Sequence, residues 1–279
     1  MEQKFPVLAI LPLHSLVIHE HHDDSRTGPL MEKLESNGVF SNPVIVTPLH
    51  DHTARYMVLD GANRTTATRR MGFEHILAQV VEPDELGVET QTWNHVVWDV
   101  PVETFWEKIE AVEGLAYRES TAEKANETVL ERQGLAAIHL ADGRVFVALA
   151  PAINRVARNA FLNRLIDTYK SAGRMDRTPH RTIEPLIKMY PSLSGLVFMP
   201  KLKVRHLSYL VSQGHFLPAG VTRFTISPRA LRVNFPMDIL RSVDLSLEQK
   251  NDALDQFIKD LLENKRVRYY AEATVLYDE

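Results

Sequence analysis

The stretch Val58-Leu59-Asp60-Gly61-Ala62-Asn63-Arg64-Thr65-Thr66-Ala67 decides how this chain is read, because it runs from an apolar strand through a glycine turn into a helix. Glycine lets the backbone turn tightly at Gly61, and the unsatisfied N–H groups of the first helical turn then point toward an anion. Arg64 adds a rigid fork of donors suited to phosphate oxygens. Two readings stand open on this stretch: a phosphate cradle, or a tight turn at Asp60-Gly61 followed by a helix capped by Asn63 or Thr65.

On the amino-terminal side, Val7 to Leu13 reads as a buried strand, and Leu30, Met31, Leu34 and Val39 suggest a helix over residues 27–37 that stops at Asn37-Gly38. Pro43 introduces the strand Val44-Ile45-Val46, and a polar break before Tyr56 reads as a hairpin turn. On the carboxy-terminal side the helix ends near Gly72, and Ile76 to Val81 is a further strand. The result is a compact β, α, β, β, α, β unit.

Beyond it, Trp93 to Val97 reads as a strand, Val102 to Glu113 and residues 120–132 as helices, and Asp142-Gly143 as the turn of a second hairpin. Asn154 to Tyr169 has helical apolar spacing, Gly173 to Pro179 reads as a flexible surface segment, and Ser246 to Asn264 as a helix before a terminal strand near Arg268 to Leu276. The expected fold class is mixed α/β, with a first unit over residues 1–100 and a carboxy-terminal α/β portion over residues 101–279.

The chain has 279 residues, 44% of them hydrophobic, enough for one large domain or two modest ones. It has no cysteine, which excludes disulfides, thiolate zinc sites and cysteine nucleophiles together. No stretch reaches membrane-spanning length and no signal-like segment opens the chain, so a cytoplasmic location is expected. A net charge of −4 argues against a surface devoted to nucleic acid. Charge is uneven: residues 82–131 hold thirteen acidic and three basic residues, whereas residues 151–190 hold eight basic and three acidic ones.

His19-Glu20-His21-His22-Asp23-Asp24 has a metal-site composition, but neighbours on an extended chain point in opposite directions and no helical i, i+4 pair is present. Glu20 matters more as a lone carboxylate at a strand end, near the point where Asp60-Gly61 emerges from another strand. Two carboxylates beside a phosphate cradle are a kinase-like arrangement, one organising a cation and the other orienting or deprotonating a hydroxyl. A surface glutamate in a polar loop is the other reading.

The order Leu11-Pro12-Leu13-His14-Ser15-Leu16, His19-Glu20, a helix, Asn42-Pro43-Val44-Ile45-Val46 and then Val58 to Arg64 resembles the ParB/sulfiredoxin-like fold, and more narrowly its free serine kinases. Thr92-Trp93-Asn94-His95, Leu217-Pro218-Ala219-Gly220-Val221-Thr222-Arg223 and Arg229-Ala230-Leu231-Arg232-Val233-Asn234 are similar to later segments of those kinases. With Arg268-Tyr269-Tyr270, the likeness covers nearly the whole chain and implies a ParB/sulfiredoxin-like nucleotide-binding domain over residues 1–100, with the carboxy-terminal α/β domain, residues 101–279, packing over the active site.

The resemblance implies phosphoryl transfer from ATP or ADP, with Mg2+, to free L-serine, giving O-phospho-L-serine. Glu20 then stands at the catalytic carboxylate that activates the serine hydroxyl, and Asp60 at the companion acid that supports magnesium or the hydroxyl. Gly61, Ala62, Asn63, Arg64 and Thr65 hold the nucleotide phosphates, with Asn63 where relatives often carry histidine. Trp93 and His95 shape the amino-acid pocket, although an indole is also a common core residue. Thr222 and Arg223 reach the phosphoryl group or the serine carboxylate, and Phe224 stands where many relatives carry histidine.

Two alternatives keep the same fold: a nucleic-acid-binding regulator, or an inactive relative that senses a nucleotide or metabolite. Against the first, the chain shows no helix-turn-helix pattern. Sulfiredoxin chemistry needs a cysteine and is excluded.

Overall fold

A computed structural model describes residues 5–20, 24–83, 87–151 and 154–270. His21, His22 and Asp23 of the histidine-rich bend lie outside the described residues, as does most of the expected terminal strand; residues 268–270 have no regular structure.

The first sheet is made of β1 (Val7–Pro12), β2 (Leu16–Ile18), β4 (Val44–Pro48), β5 (Tyr56–Asp60) and β6 (His75–Val80), with α1 (Asp24–Asn37), β3 (Val39–Phe40) and α2 (Ala62–Arg70) as connections. Its order is β1-β6-β4-β5-β2, and β2 runs parallel to β5. The central strand reads as an unbroken apolar run because both of its faces are covered. Ile45, Met57 and Leu59 enter one core, whereas Val44, Val46 and Val58 enter the core on the other face. This is the period-two alternation of a strand.

The chain then forms β7 (Val88–Thr92), β8 (Asn94–Trp98), α3 (Val102–Glu110), β9 (Ala116–Glu119), α4 (Ala122–Leu130), β10 (Ala136–Leu140) and β11 (Val145–Leu149). Next come α5 (Arg155–Lys170), β12 (Arg174–Thr178), α6 (Glu184–Met189), β13 (Leu193–Phe198) and α7 (Val204–Ser212). Strands β12-β8-β13-β10-β11-β9 make an antiparallel sheet. Its core takes in Phe105 and Ile109 of α3 and Leu165, Ile166 and Tyr169 of α5, and is continuous with Ile45, Met57 and Leu59 of the first sheet.

The last elements return to the first unit: β14 (Thr222–Ile226) pairs with β7, β15 (Phe235–Pro236) pairs with β3, and α8 (Met237–Arg241) and α9 (Leu247–Glu263) follow. Val233, Phe235, Met237, Leu240 and Leu254 complete the core beneath β4 and β6. The α9 helix starts at a capping box between Ser246 and Gln249. Asn251 of α9 brackets the edge strand β1, accepting from Ile10 N at 2.9 Å and donating to Ile10 O at 3.0 Å.

Two sequence expectations are corrected. Residues 173–179 are no flexible segment: Arg174–Thr178 is the edge strand β12, paired from Arg174↔Trp98 to Thr178↔Asn94. Its polar sequence conceals it because an edge strand with exposed side chains needs no apolar face. Val39, counted among the apolar positions of the first helix, lies in β3; the helix itself ends at Asn37 as expected, where Gly38 takes φ +63°.

Candidate active site

The parallel pairing of β2 and β5 sets the site. Ile18 is in register with Val58, so two residues further along each strand Glu20 and Asp60 leave the sheet side by side. Carboxyl ends of neighbouring parallel strands are where open α/β sheets place ligands.

At Asp60 the chain turns through Gly61, φ +97°, straight into α2. A β-carbon on Gly61 would lie 2.8 Å from Val44 Cγ1, so both the backbone angle and the space require glycine. No side chain caps α2, which leaves its first-turn N–H groups directed at the cleft. Asp60 Oδ2 accepts from Arg64 Nη2 at 3.3 Å and also from Arg229 Nη2. Burial alone would raise the Asp60 carboxyl, but the two guanidinium charges outweigh it and hold the group below the ordinary aspartate range. This corner therefore carries a carboxylate with excess positive charge around it, next to an open helix N-terminus, and it suits an anion.

Glu20 is gripped by the segment after α7. Leu217 N donates to His19 O at 2.8 Å, which lays residues 217–222 alongside the strand end. Gly220 N then donates to Glu20 Oε2 at 2.7 Å, Thr222 N donates to Oε1 at 2.6 Å, and the Thr222 hydroxyl donates to the same oxygen. His19 stands behind: its Nδ1 lies 2.5 Å from Val58 O and its Nε2 lies 2.6 Å from Thr222 Oγ1. A carbonyl oxygen only accepts, so Nδ1 carries a hydrogen and donates to Val58 O. Burial would raise the Glu20 carboxyl, but the bond and charge of His19, the Thr222 hydroxyl and the Gly220 N–H outweigh it and hold the group at about 2.

These pieces open onto one cleft of about 940 Å³, whose walls include Glu20, Asp60, Gly61, Ala62, Asn63, Arg64, Trp93, Thr222 and Arg223. Arg223 lies over the Trp93 ring, 4.7 Å from its centroid. Two residues named from the sequence sit elsewhere. Thr65 is buried and donates from Oγ1 to Gly61 O at 3.0 Å, so it braces the turn from within α2. His95 is also buried: Nε2 donates to Gly220 O at 3.0 Å, and Nδ1 accepts from the Tyr169 hydroxyl at 2.7 Å. Burial pushes His95 down to about 4, in keeping with this neutral ring. His95 thus positions the Gly220 turn that holds Glu20, and reaches no ligand space.

Sequence reasoning did not single out His19, Arg177 or Arg229 as site residues. His19 was read among the crowded histidines, and Arg229 only as part of a family likeness; Arg177 lies on the strand that sequence does not reveal. Among the described residues no group of three or more His, Asp or Glu side chains is arranged to hold a metal. Asp60 alone offers a carboxylate oxygen, Oδ1, that accepts from neither arginine. Magnesium bound through nucleotide phosphates ordinarily uses one or two carboxylates and keeps several waters, so this corner fits such an ion.

No protein-family model matches the chain. It is 25% identical over 275 residues to the ATP-dependent L-serine kinase SbnI of Staphylococcus aureus, an alignment that covers 98% of this chain and 97% of the relative. In structure it is similar to SbnI with a C-terminal truncation from Staphylococcus aureus, at TM-score 0.73 and 23% identity over 91% of this chain and 97% of the other. A free serine kinase in complex with AMP matches at TM-score 0.68 and 14% identity, over 85% of this chain and 95% of that one. Along nearly its full length the chain is thus similar in sequence to an L-serine kinase, and it shares its fold with that protein and with a free serine kinase.

Proposed function

We propose that this protein is a kinase of free L-serine that transfers the terminal phosphoryl group of ATP to the serine hydroxyl and releases O-phospho-L-serine and ADP. The observation that carries the reading is the convergence of the clamped Glu20 carboxylate and the Asp60-Gly61 helix start on one cleft. The similarity to a relative named as an ATP-dependent L-serine kinase supports both donor and acceptor.

In this reading the Gly61 to Arg64 turn holds the nucleotide phosphates. The serine oxygen forms its bond to the terminal phosphorus as the bridging P–O bond to ADP breaks, and the hydroxyl proton departs to the Glu20 side. Phosphoryl transfer passes through a loose transition state in which little negative charge builds on the attacking oxygen, so positioning counts for more than base strength. That suits Glu20, a weak base held at about 2: it accepts a hydrogen bond from the hydroxyl, fixes the line of attack, and takes the proton late. Arg64, Arg229 and Arg223 stabilise charge on the phosphates. Magnesium, held by Asp60 Oδ1 and the nucleotide, would neutralise phosphate charge further. Trp93 and Thr222 bound the acceptor end. Such a reaction belongs in the cytoplasm, where ATP and free serine are found.

The test is to incubate the purified protein with L-serine, magnesium and either ATP or ADP, and to assay phosphoserine. Phosphoserine is expected with ATP. Glu20→Gln is expected to lower kcat by about 10²–10⁴-fold while nucleotide binding persists. Full turnover by Glu20→Gln would remove Glu20 from the chemistry, and no phosphoserine from the unaltered protein with either nucleotide would end the proposal.

A further inference from the structure

Arginine side chains of the cleft differ in what already occupies them. Arg64 and Arg229 share Asp60 Oδ2, and Arg223 is stacked on Trp93. Arg177, on the edge strand β12, also lines the cleft and is exposed to it. Among the described residues no carboxylate pairs with Arg177.

Its placement is set from two sides. On β12, Arg177 is in register with His95 of β8, and His95 Nε2 donates to Gly220 O. The Arg177 guanidinium lies against Gly220: a β-carbon there would come within 2.7 Å of Cζ and 2.8 Å of Nη2. The opposite edge of that glycine, its N–H, donates to Glu20 Oε2 at 2.7 Å. A single residue without a side chain therefore separates the guanidinium from the carboxylate that orients the acceptor hydroxyl.

We propose that Arg177 binds the α-carboxylate of the amino-acid acceptor and so restricts the kinase to substrates that carry one. The inference rests on the serine-kinase reading of the cleft and adds the residue that recognises the substrate's charge. In serine the hydroxyl oxygen and a carboxylate oxygen are separated by a short chain of single bonds and lie about 3–4 Å apart. A hydroxyl on Glu20 thus brings the carboxylate to the wall where Arg177 stands, and an arginine fork matches a carboxylate in plane with two parallel hydrogen bonds. The nucleotide phosphates are directed to the Gly61 corner of the first sheet, whereas Arg177 belongs to the second.

The experiment compares L-serine with ethanolamine, which keeps the hydroxyl and the amine but lacks the carboxylate, in the unaltered protein and in Arg177→Gln. Arg177→Gln is expected to raise KM for L-serine by about 10–100-fold, the range of a lost charge-assisted pair. KM for ATP should stay within about twofold, and the preference for L-serine over ethanolamine should fall by a similar factor. Arg177→Lys, which keeps the charge without the fork, should recover part of the loss. In parallel, calorimetric titration of L-serine into each protein with a non-hydrolysable ATP analogue reads the site without turnover. Binding by the unaltered protein that Arg177→Gln loses supports the inference even if no phosphoserine forms, an outcome that would count against the kinase reading alone. The inference is overturned if Arg177→Gln binds L-serine normally, if its main effect falls on ATP, or if the unaltered protein binds L-serine and ethanolamine equally.

Discussion

Gly61 joins the strand that delivers Asp60 to the helix whose N-terminus faces the cleft, and it does so at φ +97°. Replacing it with alanine forces a β-carbon into Val44 at a backbone angle that L-residues rarely adopt. We expect Gly61→Ala to lower stability by about 1–3 kcal/mol and to weaken ATP binding at least about tenfold, measured by urea unfolding and by nucleotide titration. At this scale the sequence was most readable where the structure is local: a strand, a glycine and a helix adjacent in the chain form the expected turn, the corner proposed to hold phosphate. It was least readable where a side chain acts across the fold. His95 was grouped with Trp93 as a pocket residue, but Trp93 sits in the break between β7 and β8, outside the regular alternation of β8, and lines the cleft, whereas His95 within β8 is buried against Gly220 and Tyr169.

At the scale of elements, those with strong periodicity or punctuation were legible. The α5 and α9 helices and the hairpin of β10 and β11 lie within a few residues of their expected limits. The β12 strand was not, because nothing in Arg-Met-Asp-Arg-Thr alternates strongly enough to reveal an edge strand whose outer side faces solvent. The opposite edge problem arises at β1, which would present an open row of backbone groups if α9 did not cover it. Asn251 closes that edge at Ile10 with a donor and an acceptor. Asn251→Ala is expected to cost about 1–3 kcal/mol and to speed amide hydrogen exchange at Ile10 selectively. Unchanged exchange there would show that α9 covers β1 by apolar packing alone.

For the molecule as a whole, the burial of His95 and the hydrogen bonds that hold Glu20 both shape the response to acid. His95 is pushed down from 6.5 to about 4, so below 6.5 the unfolded chain takes up a proton that the folded one refuses, and stability falls as pH drops toward 4. Glu20 is held down from 4.5 to about 2, so the stability it provides is complete above 4.5 and is lost as pH falls toward 2. Both effects have the same sign. We expect unfolding free energy to decline between pH 7 and pH 5 by about 2 kcal/mol from His95 alone. His95→Gln should flatten that slope in urea titrations at the two pH values, and an unchanged slope would assign the acid sensitivity to other groups.

The grip on Glu20 has a further consequence in time. Its partners Gly220 and Thr222 lie 200 and 202 residues downstream. A ribosome adding about 5–20 residues per second needs on the order of 10–40 s to deliver them after the glutamate has emerged. Throughout that interval the phosphate corner can already be folding, while the acid beside it is unrestrained and the acceptor wall does not yet exist. On the proposed reading, a partly made chain without residues 217–222 lacks the clamp on Glu20 and is expected to transfer no phosphate from ATP.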